Sequence, residues 1–212
     1  MAVACATVIV VVVIVSARAG VGTASGAPPT KTDGFYGAVM PASFPAVDFA
    51  LRDQYGKTVR LSDFRGQVVA AAFVYSTCAS TCPLVVEQLK NAADQLPRPI
   101  PILAITVDPK QDTPANVNAF LVKEQVVGQL DYLVGSRATM TPIWKQFGVQ
   151  PQLAVNSSKS DHSVLLLLFD KAGRARVAYT DVSDMDPGYI DADIYTLQHE
   201  PLPRPLPARV SI

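Results

Sequence analysis

The stretch Phe73-Val74-Tyr75-Ser76-Thr77-Cys78-Ala79-Ser80-Thr81-Cys82-Pro83 constrains this chain more than any other. Val68 to Val74 is apolar at every position, which suits a strand covered on both faces rather than one with a wet side. Beyond the cysteines, Leu84, Val85, Leu89, Ala92, Ala93 and Leu96 recur at helical spacing, and Pro97 and Pro99 end the pattern. A buried strand therefore hands two thiols to the start of a helix. Spacing of four residues predicts that both side chains share one side of that helix, a turn apart. The partial positive charge of a helix N-terminus favours thiolate, the form that binds soft metals and attacks disulfides. Pro83 fits this position, because a first-turn residue has no helical use for its N–H.

The flanking sequence alternates between strand and helix. Val47 to Leu51 and Thr58 to Leu61 read as a hairpin about the turn Asp53 to Lys57, and the folded region is expected from near Phe44. Ile100 to Val107 reads as a second buried strand. Thr113-Pro114 opens a helix, Asp131 to Val134 is a short strand, and Thr141 is expected to cap a helix through Phe147 with Pro142 first inside it. Val164 to Phe169 and Arg174 to Tyr179 form a closing hairpin, and Asp181 to His199 hints at one more helix. This order predicts an α/β fold: a mixed central sheet with helices on both faces and an N-terminal β-hairpin.

Ala2 to Val15 is uncharged and apolar, and Ala17-x-Ala19 resembles a signal-peptidase site, although no Lys or Arg precedes the run. Residues 1–30 therefore read as a signal peptide or membrane anchor plus linker, 31–200 as the folded domain and 201–212 as a proline-rich tail. Export places the protein in the periplasm or another extracytoplasmic space, with anchoring at the inner membrane as the alternative to cleavage. The 18 basic and 18 acidic residues cancel, so no face is forced to be basic and nucleic acid is not expected as a partner.

Cys5 lies in the leader, so Cys78 and Cys82 are the thiols of the body. Two close thiols in an exported chain read as a disulfide, a redox pair or a metal site. The imidazoles are His162 and His199. His162, after Asp161 and directly before an apolar strand, is the candidate third ligand; His199, before the proline tail, reads as exposed and without function. Thiolates with imidazole suit copper better than calcium or magnesium, and they also suit zinc. A closed structural zinc site wants four protein ligands, and the body has no third cysteine. Asp161 reads as a partner that orients His162.

These residues resemble the Sco/SenC copper chaperones of cytochrome c oxidase assembly. The likeness rests on Phe73-x-Tyr75-x-x-Cys78-x-x-x-Cys82-Pro83, on Val107-Asp108-Pro109-x-x-Asp112-Thr113-Pro114, on Asp161-His162-Ser163 entering a strand, and on Gly66 to Val69. It implies a thioredoxin-like fold and one copper ion per chain, Cu(I) or Cu(II), held by Cys78, Cys82 and His162. It further implies delivery of copper to the dinuclear copper site of a cytochrome c oxidase subunit, or reduction of that subunit's cysteines beforehand. Asp108 and Asp112 read as structural first, with Asp112 ordering the loop before the Thr113 cap.

A second reading is an extracytoplasmic thiol-disulfide oxidoreductase using Cys78 and Cys82 as a redox pair. Three intervening residues, rather than two, and Asp161-His162-Ser163 in the facing position argue against a general reductase. A peroxidase is disfavoured, because no Thr stands three residues before either cysteine. In an oxidising space the pair closes readily, and free thiolates are needed for metal. Loading is therefore expected to need a thiol reductant. Exchange with a partner leads to the further expectation that the ligands lie at the surface.

Overall fold

The protein is described by a computed structural model over residues 30–45, 48–151 and 164–201. Within these residues the strands are β1 (Ala38–Val39), β2 (Ala50–Arg52), β3 (Thr58–Arg60), β4 (Val69–Val74), β5 (Ile102–Thr106), β6 (Asp131–Leu133), β7 (Leu165–Phe169) and β8 (Ala175–Tyr179). The helices are α1 (Thr81–Gln95), α2 (Pro114–Lys123), α3 (Arg137–Phe147) and α4 (Pro187–His199). A six-stranded sheet runs in the order β1-β8-β7-β4-β5-β6. β4, β5 and β6 are parallel, joined through α1 and α2, while β7 and β8 turn back antiparallel.

β4 is the centre because its sequence leaves no polar face. Ala70, Ala72 and Val74 point into a core shared with α1, α2 and α4, and Val69, Ala71 and Phe73 into a second core under α3 and the hairpin. Helices thus cover both faces, as the unbroken apolar run requires. The expected mixed sheet is present, and α4 realises the helix hinted at in Asp181 to His199.

The hairpin β2–β3 forms a separate two-stranded sheet with Leu51 opposite Val59. It joins the main sheet where Arg52 and Val134 exchange backbone hydrogen bonds of 3.1 and 2.7 Å. Gln54 adds its amide oxygen to Tyr132 N at 2.7 Å. The hairpin therefore occupies donors of β6, an edge strand that would otherwise be open to strand pairing.

Two expectations need correction. The folded region begins before Phe44: Phe35 is buried, and Ala38 and Val39 pair with Ala178 and Val177. A two-residue strand carries no periodicity, so its pairing is invisible locally. Helix α3 starts not at Thr141 but a turn earlier, where the Ser136 hydroxyl accepts from Thr139 N at 3.2 Å. Pro142 lies inside the helix. The bond it cannot make would end on the carbonyl of Ala138, an exposed residue that water can satisfy.

Candidate functional site

The chain leaves β4 at Val74 and turns at once, with Cys78 N donating to Tyr75 O at 3.2 Å. Cys82 sits in the first turn of α1, but Cys78 precedes the helix, upstream of the N-cap residue Ser80. The two thiols are therefore not a turn apart on one helix, as the spacing predicted. Ser80 makes no side-chain capping bond. Instead Cys78 Sγ accepts from Cys82 N at 3.2 Å, so the sulfur takes the place of the usual capping oxygen at one of the helix's orphan donors.

Both cysteines are reduced and buried, with 4 % and 1 % of their surface exposed. This corrects the expectation of surface ligands. The Cys82 thiol donates to Cys78 sulfur, and that bond, followed by burial and the negative charge at Cys78, pushes the Cys82 thiol far above its ordinary value. Cys82 is a protonated donor in the reduced protein, and Cys78 is the sulfur that gathers hydrogen bonds. Tyr75 is a further donor to Cys78; burial first, and the Cys78 charge next, hold its phenol above the ordinary value.

Beneath this turn lies Asp112, which is buried. One carboxylate oxygen accepts from Ser76 N at 2.7 Å and Ser76 Oγ at 2.5 Å. The other accepts from Tyr132 Oη at 2.9 Å and from Thr106 Oγ1. Burial raises the Asp112 carboxyl above its ordinary value while these hydrogen bonds pull it back. Thr113 caps α2 as expected, through a 3.3 Å bond from Asn116 N to its hydroxyl. The expected ordering role of Asp112 is therefore directed at the thiol turn. Ser76, Thr106 and Tyr132 were not singled out by sequence reasoning; the available signal was a hydroxyl on or just past each of three adjacent strands, β4, β5 and β6.

Among the described residues no three His, Cys, Asp or Glu side chains are placed to share one metal ion. Asp161 and His162 lie outside the described residues. His199 is exposed in the last turn of α4, with Nδ1 2.8 Å from Tyr195 O. The donor chemistry of the pair still fits a soft ion: two sulfurs lie within one hydrogen-bonded turn, and displacing the Cys82 proton frees both.

A six-stranded mixed sheet, with two thiols delivered from the central strand to a helix N-terminus, defines a thioredoxin-like domain. The SCO1/SenC family model matches residues 41–196, and the chain belongs to that family. It is 28 % identical over 145 residues to a mitochondrial SCO2 homologue of Bos taurus, covering 64 % of this chain and 54 % of that protein. The chain thus spans about half the length of that relative. A SCO2-like protein of Rickettsia prowazekii is 29 % identical over 146 residues, 64 % of this chain and 69 % of its own. Apo Sco1 from Thermus thermophilus superposes with a TM-score of 0.65 at 26 % identity, over 77 % of this chain and 96 % of that one. Two neighbours show the shared fold alone. Copper-bound ScoI of Bradyrhizobium japonicum superposes at TM-score 0.58 and 24 % identity, covering 72 % and 98 % of the two chains. BsSco, described as a member of the Sco family of cytochrome c oxidase assembly proteins with a disulfide switch, does so at 0.64 and 21 %, covering 76 % and 97 %.

Proposed function

We propose that the chain is an exported copper-binding protein that delivers copper to the dinuclear copper site of cytochrome c oxidase, or prepares the thiols of that site. The observation that carries this reading is the sulfur pair at the start of α1, with Cys82 N on Cys78 Sγ, in a chain of the SCO1/SenC family. Cys78, Cys82 and His162 are the proposed ligands of one Cu(I) or Cu(II) ion. Copper is the cargo; the chain's own residues hold the sulfurs together, keep the Cys82 proton until metal displaces it, and shield the pair from water. Residues 1–30 serve as signal peptide or anchor plus linker, 31–200 as the domain and 201–212 as a tail. Among the described residues no helix is long and apolar enough to cross a membrane, and the apolar run Ala2 to Val15 lies outside them. A copper-accepting oxidase subunit and a thiol reductant are the proposed partners.

Anaerobic titration of the reduced protein tests this reading. One copper per chain is expected, with a thiolate-to-Cu(II) charge-transfer band that disappears in Cys78→Ser and Cys82→Ser. Full affinity and unchanged spectra in His162→Ala would remove His162 from the ligand set. The second reading, a thiol-disulfide oxidoreductase, is favoured by one feature: the pair is buried, reduced and asymmetric, with the Cys82 thiol hydrogen-bonded to the Cys78 sulfur. Turnover of a disulfide substrate without metal, unaffected by His162→Ala, would establish it instead.

A further inference from the structure

The thiol turn runs from Tyr75 to Cys78 and leads into α1. Its single backbone closure is Cys78 N to Tyr75 O, and Ser76 and Thr77 lie between these ends at the mouth of the site. What fixes Ser76 comes from 36 residues away. Asp112 takes both the backbone N–H and the hydroxyl of Ser76 on one carboxylate oxygen. Its other oxygen is tied to Thr106, the last residue of β5, and to Tyr132 in β6. Thr106 is itself registered against Val74, the last residue of β4, and the Trp144 indole donates to its carbonyl at 3.0 Å. The carboxylate is thus clamped to the end of β5 and to the middle of β6 beside it, and Ser76 is clamped to the carboxylate. With Ser76 fixed, Cys78 arrives at the end of the turn with Sγ on Cys82 N.

We propose that Asp112 is a positioning residue of the thiol site: through Ser76 it sets the turn that holds Cys78 sulfur against the N-terminus of α1. The assignment rests on the proposed role of Cys78 and Cys82, and it adds a residue whose hydrogen bonds go to Ser76, Thr106 and Tyr132 rather than to either sulfur. The physical consequence is specific. A sulfur held on a helix N–H is stabilised as the electron-rich reduced form. Releasing the clamp loses that stabilisation, so the disulfide becomes harder to reduce and Cu(I) is held less tightly.

The test compares the two sides of the clamp. Ser76→Ala removes only the hydroxyl bond on the thiol side. Asp112→Asn weakens the whole hub, and Tyr132→Phe removes one bond to the other carboxylate oxygen while leaving both Ser76 bonds in place. The midpoint potential of the Cys78–Cys82 couple is measured against glutathione, alongside Cu(I) competition with a chelator and thermal melting. Ser76→Ala and Asp112→Asn are expected to make the reduced pair about tenfold less favoured, which is about 30 mV for a two-electron couple, and to weaken Cu(I) retention in parallel. Tyr132→Phe is expected to lower the melting temperature and leave the potential in place. If Asp112→Asn does not fold, Ser76→Ala decides. Unchanged potentials in the folded variants overturn the proposal, and so does a Tyr132→Phe shift equal to that of Ser76→Ala, which would mark the network as scaffold only. If the wild type binds no copper while the potentials shift as expected, the copper reading fails and the positioning role stands.

Discussion

Two buried carboxylates, Asp112 and Asp193, are built alike and serve different parts of the molecule. Asp193 accepts from Tyr36 N at 2.9 and 3.1 Å, from Gly37 N at 2.9 Å and from Tyr179 Oη at 2.6 Å. Asp112 accepts from one backbone N–H and three hydroxyls. Each carboxylate thus serves a backbone donor on one segment and a tyrosine on a strand. Asp193 sews the N-terminal segment to α4 and β8, a seam of scaffold. Asp112 sews the thiol turn to β5 and β6. Charged acceptors make the stronger hydrogen bonds, so the chain spends the same device once on holding its edge closed and once on shaping its site.

The largest effect is expected at Asp193. Asp193→Ala leaves two backbone N–H groups and a phenol buried without acceptors. At about 1–3 kcal/mol for each buried donor left unsatisfied, it should cost several kcal/mol, read as a fall in the urea midpoint. The folded fraction should keep its copper stoichiometry and thiol potential. Loss of copper at full fold would break the division between scaffold and site. On the same seam, Gly37 has no room for a side chain: a Cβ there would meet Val177 Cγ1 at 2.5 Å and the Tyr179 ring at 2.8 Å. Gly37→Ala should cost about 1–3 kcal/mol by overpacking, again without touching the thiols. Equal stability of Gly37→Ala and wild type would show that the seam yields easily.

The site itself should reveal its chemistry through pH. The Cys82 thiol is held well above its ordinary value by the bond to Cys78 and by burial. In the unfolded chain that thiol ionises near pH 8.5, about its usual value, while in the folded chain it keeps its proton. The folded state then binds more protons than the unfolded one, so stability is present in full below that pH and declines as pH rises through it. The slope is about 1.4 kcal/mol per pH unit for one group. Chemical denaturation of the reduced protein between pH 7 and 10 should show the decline, and Cys82→Ser should flatten it. A profile unchanged by Cys82→Ser would mean that the thiol is not held protonated.

This contrast also explains what sequence reasoning can reach. The central strand, the helix after it and the cysteine pair were legible because unbroken apolar runs and helical spacing are local signals. Cys78 was misplaced because a four-residue interval reads equally well as a helical turn or as a turn that caps one; only the idle side chain of Ser80 separates the two. The seam at Asp193 was illegible for another reason. Its contacts join residues 157 apart just ahead of a two-residue strand, and neither end carries a pattern. The burial of both thiols was likewise hidden, since spacing reports which residues meet and not how deeply they sit. Asp112 lay between these cases: its motif was visible, but its ordering role was placed on its own loop before the Thr113 cap rather than on the turn after another strand.

The smallest effect concerns the charge of Asp112 and sharpens the comparison where the two carboxylates differ in surroundings. Burial lifts the Asp112 carboxyl above its ordinary value despite four hydrogen bonds that favour the charged form. The folded state therefore holds this proton more tightly than the unfolded chain, whose aspartate titrates near pH 3.9, about its usual value. The linkage contribution is fully present below that pH and is lost as pH rises through the folded value. Asp112→Asn removes the titration, so the stability of wild type relative to this variant should be greatest at about pH 4 and shrink toward neutrality, by at most about 1.4 kcal/mol for each unit that the folded value is raised. Urea midpoints of both proteins across pH 4 to 7 measure it. A difference that grows toward neutrality would mean that the hydrogen bonds from Ser76, Thr106 and Tyr132 outweigh burial. In that case the carboxylate charge would itself stabilise the thiol turn.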